Sequence, residues 1–275
     1  MRYVVYTLDY FKGQNKFWKL FGLTILPAVF LAFFAPIPTC NEFLFGFFGS
    51  GNYFGSIVIR LTGLVWYKAA LIPLSVIVAA LIFSYVSAIV DRDMHVGDFH
   101  YVSFSRSINA NFFAYAVFVF FSLVILIFSL FAASLLVNLW VIAFNGLKGW
   151  SFAFSLITIL IVFILLLVLL TIVLIWPAYM TYTGMKPFGA IGRAIRQKQK
   201  KSEVFFAVFL PFAGYELLYL FFLLIKLPLG GALANTLLLA FLGIYLPVLI
   251  HTVYYDISGL SREDLNKRSI WKKKG

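Results

Sequence analysis

The 275 residues are 63% hydrophobic and only 12% charged, include 33 phenylalanines, and have a mean hydropathy of +0.99. A soluble domain of this size can hide one core but not several unbroken apolar runs of about 20 residues, so an all-α polytopic membrane protein is predicted. The formal charge of +12 does not point to nucleic acid: the chain carries no nucleic-acid-binding motif, and its Lys and Arg residues fall between the apolar runs, where anionic lipid headgroups lie.

In chain order, Tyr3 to Lys19 mixes Tyr3, Tyr6, Tyr10, Phe11, Phe17 and Trp18 with charge, which predicts a short interfacial helix leading into the first crossing. That crossing is expected at about 20–36. Lys12, Lys16 and Lys19 before it and Cys40 after it have the outline of a lipoprotein signal. The residues before the cysteine, Ile37, Pro38 and Thr39, are a poor small-residue cleavage context, so a permanent helix is expected. A single cysteine forms no intrachain disulfide. Residues 37–68 are too long for a tight turn and too apolar for an ordinary loop. Their stretch Phe43 to Phe54 alternates aromatics with Gly46, Gly49 and Gly51, which fits an interfacial loop or a segment dipping into a protein-lined crevice.

Five further crossings are expected at about 69–90, 112–136, 153–176, 204–226 and 232–254, giving one integral membrane domain of six transmembrane helices. Helices are preferred over strands despite the many Val, Ile and Phe residues, because backbone in lipid must satisfy its own hydrogen bonds. With the N-terminus inside, 18 of the 22 Lys and Arg residues fall in the cytoplasmic segments and only Arg60, Lys68, Lys148 and Lys226 outside, so both termini are predicted to be cytoplasmic. The links at 91–111 and 185–203 look like basic amphipathic segments. Phe104, Arg106 and Ile108 can be laid beside Ile191, Arg193 and Ile195, as a repeated unit or as chance similarity.

Few polar residues interrupt the membrane segments. Glu216 falls inside the fifth, in Pro211-Phe-Ala-Gly214-Tyr215-Glu216-Leu-Leu-Tyr219, where a carboxylate must be protonated, paired or watered. Glu216 with Tyr215, Tyr219 and Asn235 is the candidate ligand or ion pathway, and a structural network through the same residues satisfies the carboxylate equally well. Pro211 and Gly214 are expected to kink this helix and to permit close approach. His251 is expected near the inner end of the sixth helix with Tyr254, Tyr255 and Asp256, as a satisfied interfacial histidine or part of a gating cluster. Asp91, Asp93, His95, Asp98 and His100 form the densest polar group, but without a strong zinc spacing. They are expected to pair with Arg92 and Arg106, so no metal and no cofactor is anticipated. Arg193, Arg196, Lys198, Lys200 and Lys201 are natural contacts for anionic lipid or an acidic cytoplasmic partner. Walker, GxSxG, HExxH and dinucleotide motifs do not occur.

The Trp176-Pro177-Ala-Tyr179 exit from the fourth helix, followed by Gly189-Ala190-Ile191-Gly192-Arg193-Ala194-Ile195 and another apolar helix, resembles the small bacterial six-helix proteins related to the membrane domain found beside glycerophosphodiester phosphodiesterases. The resemblance implies a bacterial cell membrane and an accessory or transport-like role, and supplies no catalytic residues. The expected function is a non-enzymatic accessory or scaffold subunit of a membrane transport or export assembly, working with a membrane or cytoplasmic protein subunit. The alternative is a small proton- or cation-coupled transporter or channel that uses Glu216. An intramembrane lipid enzyme would need Glu216 and His251 to converge, and their depths are opposite.

Overall fold

A computed structural model describes residues 2–12, 15–34, 71–144, 148–197, 201–225 and 229–265. The described residues form helices α1 (Arg2–Phe11), α2 (Lys16–Phe34), α3 (Leu71–Val96), α4 (Phe104–Ala143), α5 (Lys148–Val173), α6 (Trp176–Thr183), α7 (Pro187–Arg196), α8 (Lys201–Leu224) and α9 (Gly230–Ser258). The fold is all-α. Six of these helices, α2, α3, α4, α5, α8 and α9, are long and apolar enough to cross a membrane, which makes the chain a multi-pass membrane protein. A short helix before the first crossing, as expected, is present as α1. The 37–68 segment, Cys40, Lys198, Lys200 and the Lys272 to Lys274 tail lie outside the described residues.

The long helices run past the limits that hydropathy set for them. Helix α3 continues through Asp91, Arg92 and Asp93 to Val96 and stops where Gly97 takes φ +70°, its N–H reaching the Asp93 carbonyl at 2.8 Å. Charge marks the end of an apolar run, not of a helix, because the i to i−4 backbone bonds continue at the water boundary. The 91–111 link is therefore helix at both ends. Phe104, Arg106 and Ile108 open the membrane helix α4, whereas Ile191, Arg193 and Ile195 sit on the separate helix α7, so the two triplets occupy different structural settings. The fourth crossing, expected to reach 176, is broken at Leu174 and Ile175. Pro177 opens α6 without an N–H to donate, and a proline ring crowds the carbonyl four residues back.

The chain forms two compact units. The first holds residues 1–34, 75–119 and 170–275. Its core is α9, whose residues 242–255 are buried without interruption, so the axis of this unit is filled by a helix wrapped on every side. Helix α2 lies close against it: a Cβ added at Gly243 would meet Thr24 Cγ2 at 3.2 Å and Ile82 Cγ2 at 3.4 Å, and the Thr24 hydroxyl donates to the Ala240 carbonyl at 3.1 Å. Small residues and hydroxyls at such crossings allow the helix contact that lipid cannot drive hydrophobically. Helix α1 lies against α2, α8 and α9 and buries Tyr3, Thr7 and Tyr10 on one face.

The second unit comprises residues 35–74 and 120–169. Its described helical parts, from α4 and α5, join through an aromatic group in which Phe144 stacks on Phe154 at 5.0 Å. The Trp140 indole N–H donates to Thr158 Oγ1 at 3.0 Å.

Candidate functional site

Two polar clusters of the first unit begin at the end of α3. Ser84, Ser87 and Asp91 are spaced i, i+3 and i+7, which places them on one helix face. The Asp91 carboxylate accepts from Tyr182 Oη on α6 and from Tyr255 Oη on α9, the latter at 3.0 Å. Tyr182 Oη also lies 2.9 Å from His251 Nδ1, while His251 Nε2 meets Ser87 Oγ, and Ser87 Oγ lies 2.8 Å from Tyr115 Oη on α4.

Hydrogen-bond chemistry gives this chain a direction. Tyr182 donates its single proton to Asp91, so its oxygen accepts from His251 in the tautomer that carries Nδ1–H. With the ring proton on Nδ1, Nε2 accepts from the Ser87 hydroxyl, which then accepts from Tyr115. Four helices are joined by one continuous run of donors ending on a carboxylate. Tyr254 closes the side of the cluster, its ring stacked on Tyr182 at 4.5 Å and 7°.

The contact of Ser87 with a histidine resembles half of a hydrolytic triad, but the other half differs. Asp91 is 4.0 Å from His251 Nδ1 with the Tyr182 hydroxyl between them. Ser87 is 1% exposed and already holds Tyr115, so it offers no surface to an acyl group. What the arrangement does chemically is satisfy six polar side chains, most of them buried, with one another.

The second cluster starts two residues further along α3. Asp93 pairs with Lys16 at the start of α2, and the two side chains are 1% and 6% exposed. Tyr10 on α1 faces the same carboxylate, and burial first, then the charge of Asp93, pushes its hydroxyl above the ordinary tyrosine range, so it remains a donor. The ammonium of Lys16 also lies 4.8 Å from the centre of the Tyr10 ring. Nearby, Arg2 donates to Asp256 at 2.7 Å and Tyr3 donates to the other oxygen of the same carboxylate at 2.7 Å. Burial and this carboxylate raise the Tyr3 pKa as well. Helix α9 ends at Gly259, whose φ of +67° turns the chain back so that Arg262 pairs with Asp264 at 2.8 Å and reaches Thr252 at 3.2 Å.

Several expectations are corrected by this geometry. The acids at 91–98 do not form one group: Asp91 joins hydroxyls and His251, Asp93 joins Lys16, and Asp98 meets His100 at 2.9 Å. Positions 91 and 93 point to opposite sides of a helix, and Lys16, rather than Arg92 or Arg106, is the buried cation. No metal-binding group of His, Cys, Asp or Glu occurs among the described residues. His251 is buried and satisfied by Ser87 and Tyr182, and Asp256 pairs with Arg2 and Tyr3 of α1 instead of joining its cluster.

Around Glu216, Tyr215 donates to Asn235 Oδ1 across α8 and α9, its ring is 6.1 Å from that of Tyr219, and a Cβ at Gly231 would meet Tyr219 Cε2 at 3.2 Å. Tyr215, Tyr219 and Asn235 thus act in helix contact, with Glu216 half-buried on the adjoining position. A Cβ at Gly214 would meet nothing within 4 Å, so the close approach expected of that glycine is absent.

The Trp176-Pro177-Ala-Tyr179 motif clasps α7. The Trp176 indole donates to the Pro187 carbonyl at 2.9 Å, Tyr179 donates to Gln197 Oε1 at 3.0 Å, and the Arg193 guanidinium lies 5.1 Å above the Tyr179 ring. Arg193, Arg196 and Lys201 are exposed. No family model, curated protein or solved structure matches the chain, so function rests on its own residues.

Proposed function

We propose that the chain is a non-enzymatic membrane component, an accessory or scaffold subunit of a transport or export assembly in a bacterial cell membrane, with both termini cytoplasmic. The observation that carries this reading is the filled centre of the first unit: α9 is buried all round from 242 to 255, and the polar side chains beside it answer one another. A helix at the axis holds neighbouring helices in register, whereas a conduit along that axis would require polar surface left for its cargo. The resemblance of the Trp176-to-Ile195 segment to the phosphodiesterase-associated membrane proteins supports an accessory role as well.

The orientation is supported by the same end of the molecule. Helix α1, the close of α3 and the turn after α9 meet through Lys16 with Asp93 and Arg2 with Asp256, so segments that carry much of the basic charge share one side of the bundle. Affinity purification of the chain at native level in mild detergent, with mass spectrometry of what co-elutes, tests the reading. A second membrane or cytoplasmic protein at fixed stoichiometry is expected. Recovery of the chain alone, or with copies of itself only, would overturn the accessory role.

A further inference from the structure

Helix α7 is held as a rigid plate rather than a linker. Ala190 and Ala194, one turn apart, are fully buried, and Trp176 and Tyr179 fasten its two ends. The remaining surface divides into two stripes at i, i+4, i+7 spacing. Phe188, Gly192 and Ile195 form an apolar one, with Phe188 81% and Ile195 49% exposed. Gly189, Arg193 and Arg196 form the other.

An open groove lies between them, lined by Phe188, Gly189, Gly192, Arg193, Arg196 and Gln197. The two glycines leave its floor bare: a Cβ at either would meet nothing within 4 Å. Neither arginine has a carboxylate partner among the described residues; Arg193 is instead braced over the Tyr179 ring. Two guanidinium groups without a carboxylate partner among the described residues, one of them braced over Tyr179, stand beside an exposed apolar stripe and have charge and shape for a group that is anionic on one side and apolar on the other.

We propose that this groove binds the phosphodiester headgroup of an anionic phospholipid, with Arg193 and Arg196 donating to the phosphate oxygens and Phe188 and Ile195 lying along the glycerol and upper acyl chain. Guanidinium groups suit this role because their planar donors meet two phosphate oxygens at once. The apolar stripe is what separates a lipid from free phosphate, which would use the arginines alone. Aromatic and basic residues at one level are also what the headgroup boundary accommodates.

The test uses the full chain in neutral detergent. Its thermal unfolding is followed while short-chain phosphatidylglycerol, short-chain phosphatidylcholine or inorganic phosphate is titrated in. Saturable stabilisation by phosphatidylglycerol alone is expected. The double variant Arg193→Gln/Arg196→Gln should weaken the apparent affinity at least tenfold, and Gly192→Leu, which keeps every charge and fills the groove with a better helix former, should weaken it comparably. The control Arg106→Gln, an exposed arginine on α4, should change it by no more than about fivefold, the effect of one cation near an anionic surface. Equal stabilisation by phosphatidylcholine or by phosphate would overturn the proposal. So would wild-type affinity in Gly192→Leu, or a loss in Arg106→Gln as large as in the double variant, because either would mean diffuse attraction without a site.

Discussion

Asp91 and Asp93 stand two residues apart on α3 and live in different chemistry. Asp93 is 1% exposed and faces a buried cation; Asp91 is 38% exposed and faces two tyrosine hydroxyls and, through one of them, an imidazole. A helix turns about 200° over two residues, so the two carboxylates serve different seams of the bundle. Asp93 ties α3 to α2 by charge and faces the Tyr10 hydroxyl of α1. Asp91 ties α3 to α4, α6 and α9 by a relay of neutral donors. Where water is fully removed, a carboxylate needs an opposite charge; where part of it remains wet, hydroxyls suffice.

The deepest break in this comparison is Asp93→Ala. It strands the Lys16 ammonium in a buried site, and loss of one partner of such a pair costs about 3–5 kcal/mol. Unfolding of the purified variant in detergent should show that loss, with earlier proteolysis within α1. The double change Asp93→Leu/Lys16→Met removes both charges at similar volume and should recover most of it, because a buried ion pair and an apolar pair differ little in net stability. A double variant as unstable as the single one would mean that the pair sets the arrangement of α1, α2 and α3 and not only its own solvation.

On the Asp91 side the largest effect belongs to the most enclosed link. Ser87→Ala leaves His251 Nε2 and Tyr115 Oη without their shared hydroxyl in a place water does not reach, and should cost about 1–3 kcal/mol. Asp91→Asn keeps one acceptor oxygen at a partly wet position and should cost about 1 kcal/mol. Measured together by denaturant unfolding, the order Asp93→Ala, Ser87→Ala, Asp91→Asn sharpens the claim that enclosure, not formal charge alone, sets the importance of each group. An Asp91→Asn loss equal to that of Asp93→Ala would contradict it.

The six apolar helices were legible in the sequence because length and hydropathy are local properties and lipid leaves helices as the available spanning form. Their ends were less so. Asp91, Arg92 and Asp93 read as a loop, although a helix emerging from lipid continues until something such as Gly97 stops it. The stripe of Ser84, Ser87 and Asp91 was a readable sign of a polar helix face. Its partners Tyr115, Tyr182, Tyr255 and His251 come from three other helices, and no spacing along the chain announces them. Lys16 was legible as topology-setting charge, yet only the docking of α2 against α3 turns it into a buried ion-pair partner. Tyr215, Glu216, Tyr219 and Asn235 were legible as one group because they interrupt otherwise apolar helices; the direct bond from Tyr215 to Asn235 within it was not.

Glu216 offers the smallest stability effect and the sharpest contrast with both aspartates. It is half-buried on α8, neighbours the Tyr215 to Asn235 contact, and lies far along the chain from the clustered charges at the other polar sites. Glu216→Gln preserves size and most hydrogen-bonding capacity at a half-buried position and should shift unfolding by no more than about 0.5 kcal/mol. Under the accessory reading this variant recovers the partner at wild-type stoichiometry, while Glu216→Leu, which deletes the polar atoms, lowers that recovery. A proton- or cation-coupled carrier would behave differently. Glu216→Gln would then keep its fold and its partners yet lose ion-driven flux in reconstituted vesicles, since the amide cannot release a proton. Wild-type stability, partner recovery and flux in both variants would place Glu216 outside either role and leave the filled axis around α9 to carry the functional argument alone.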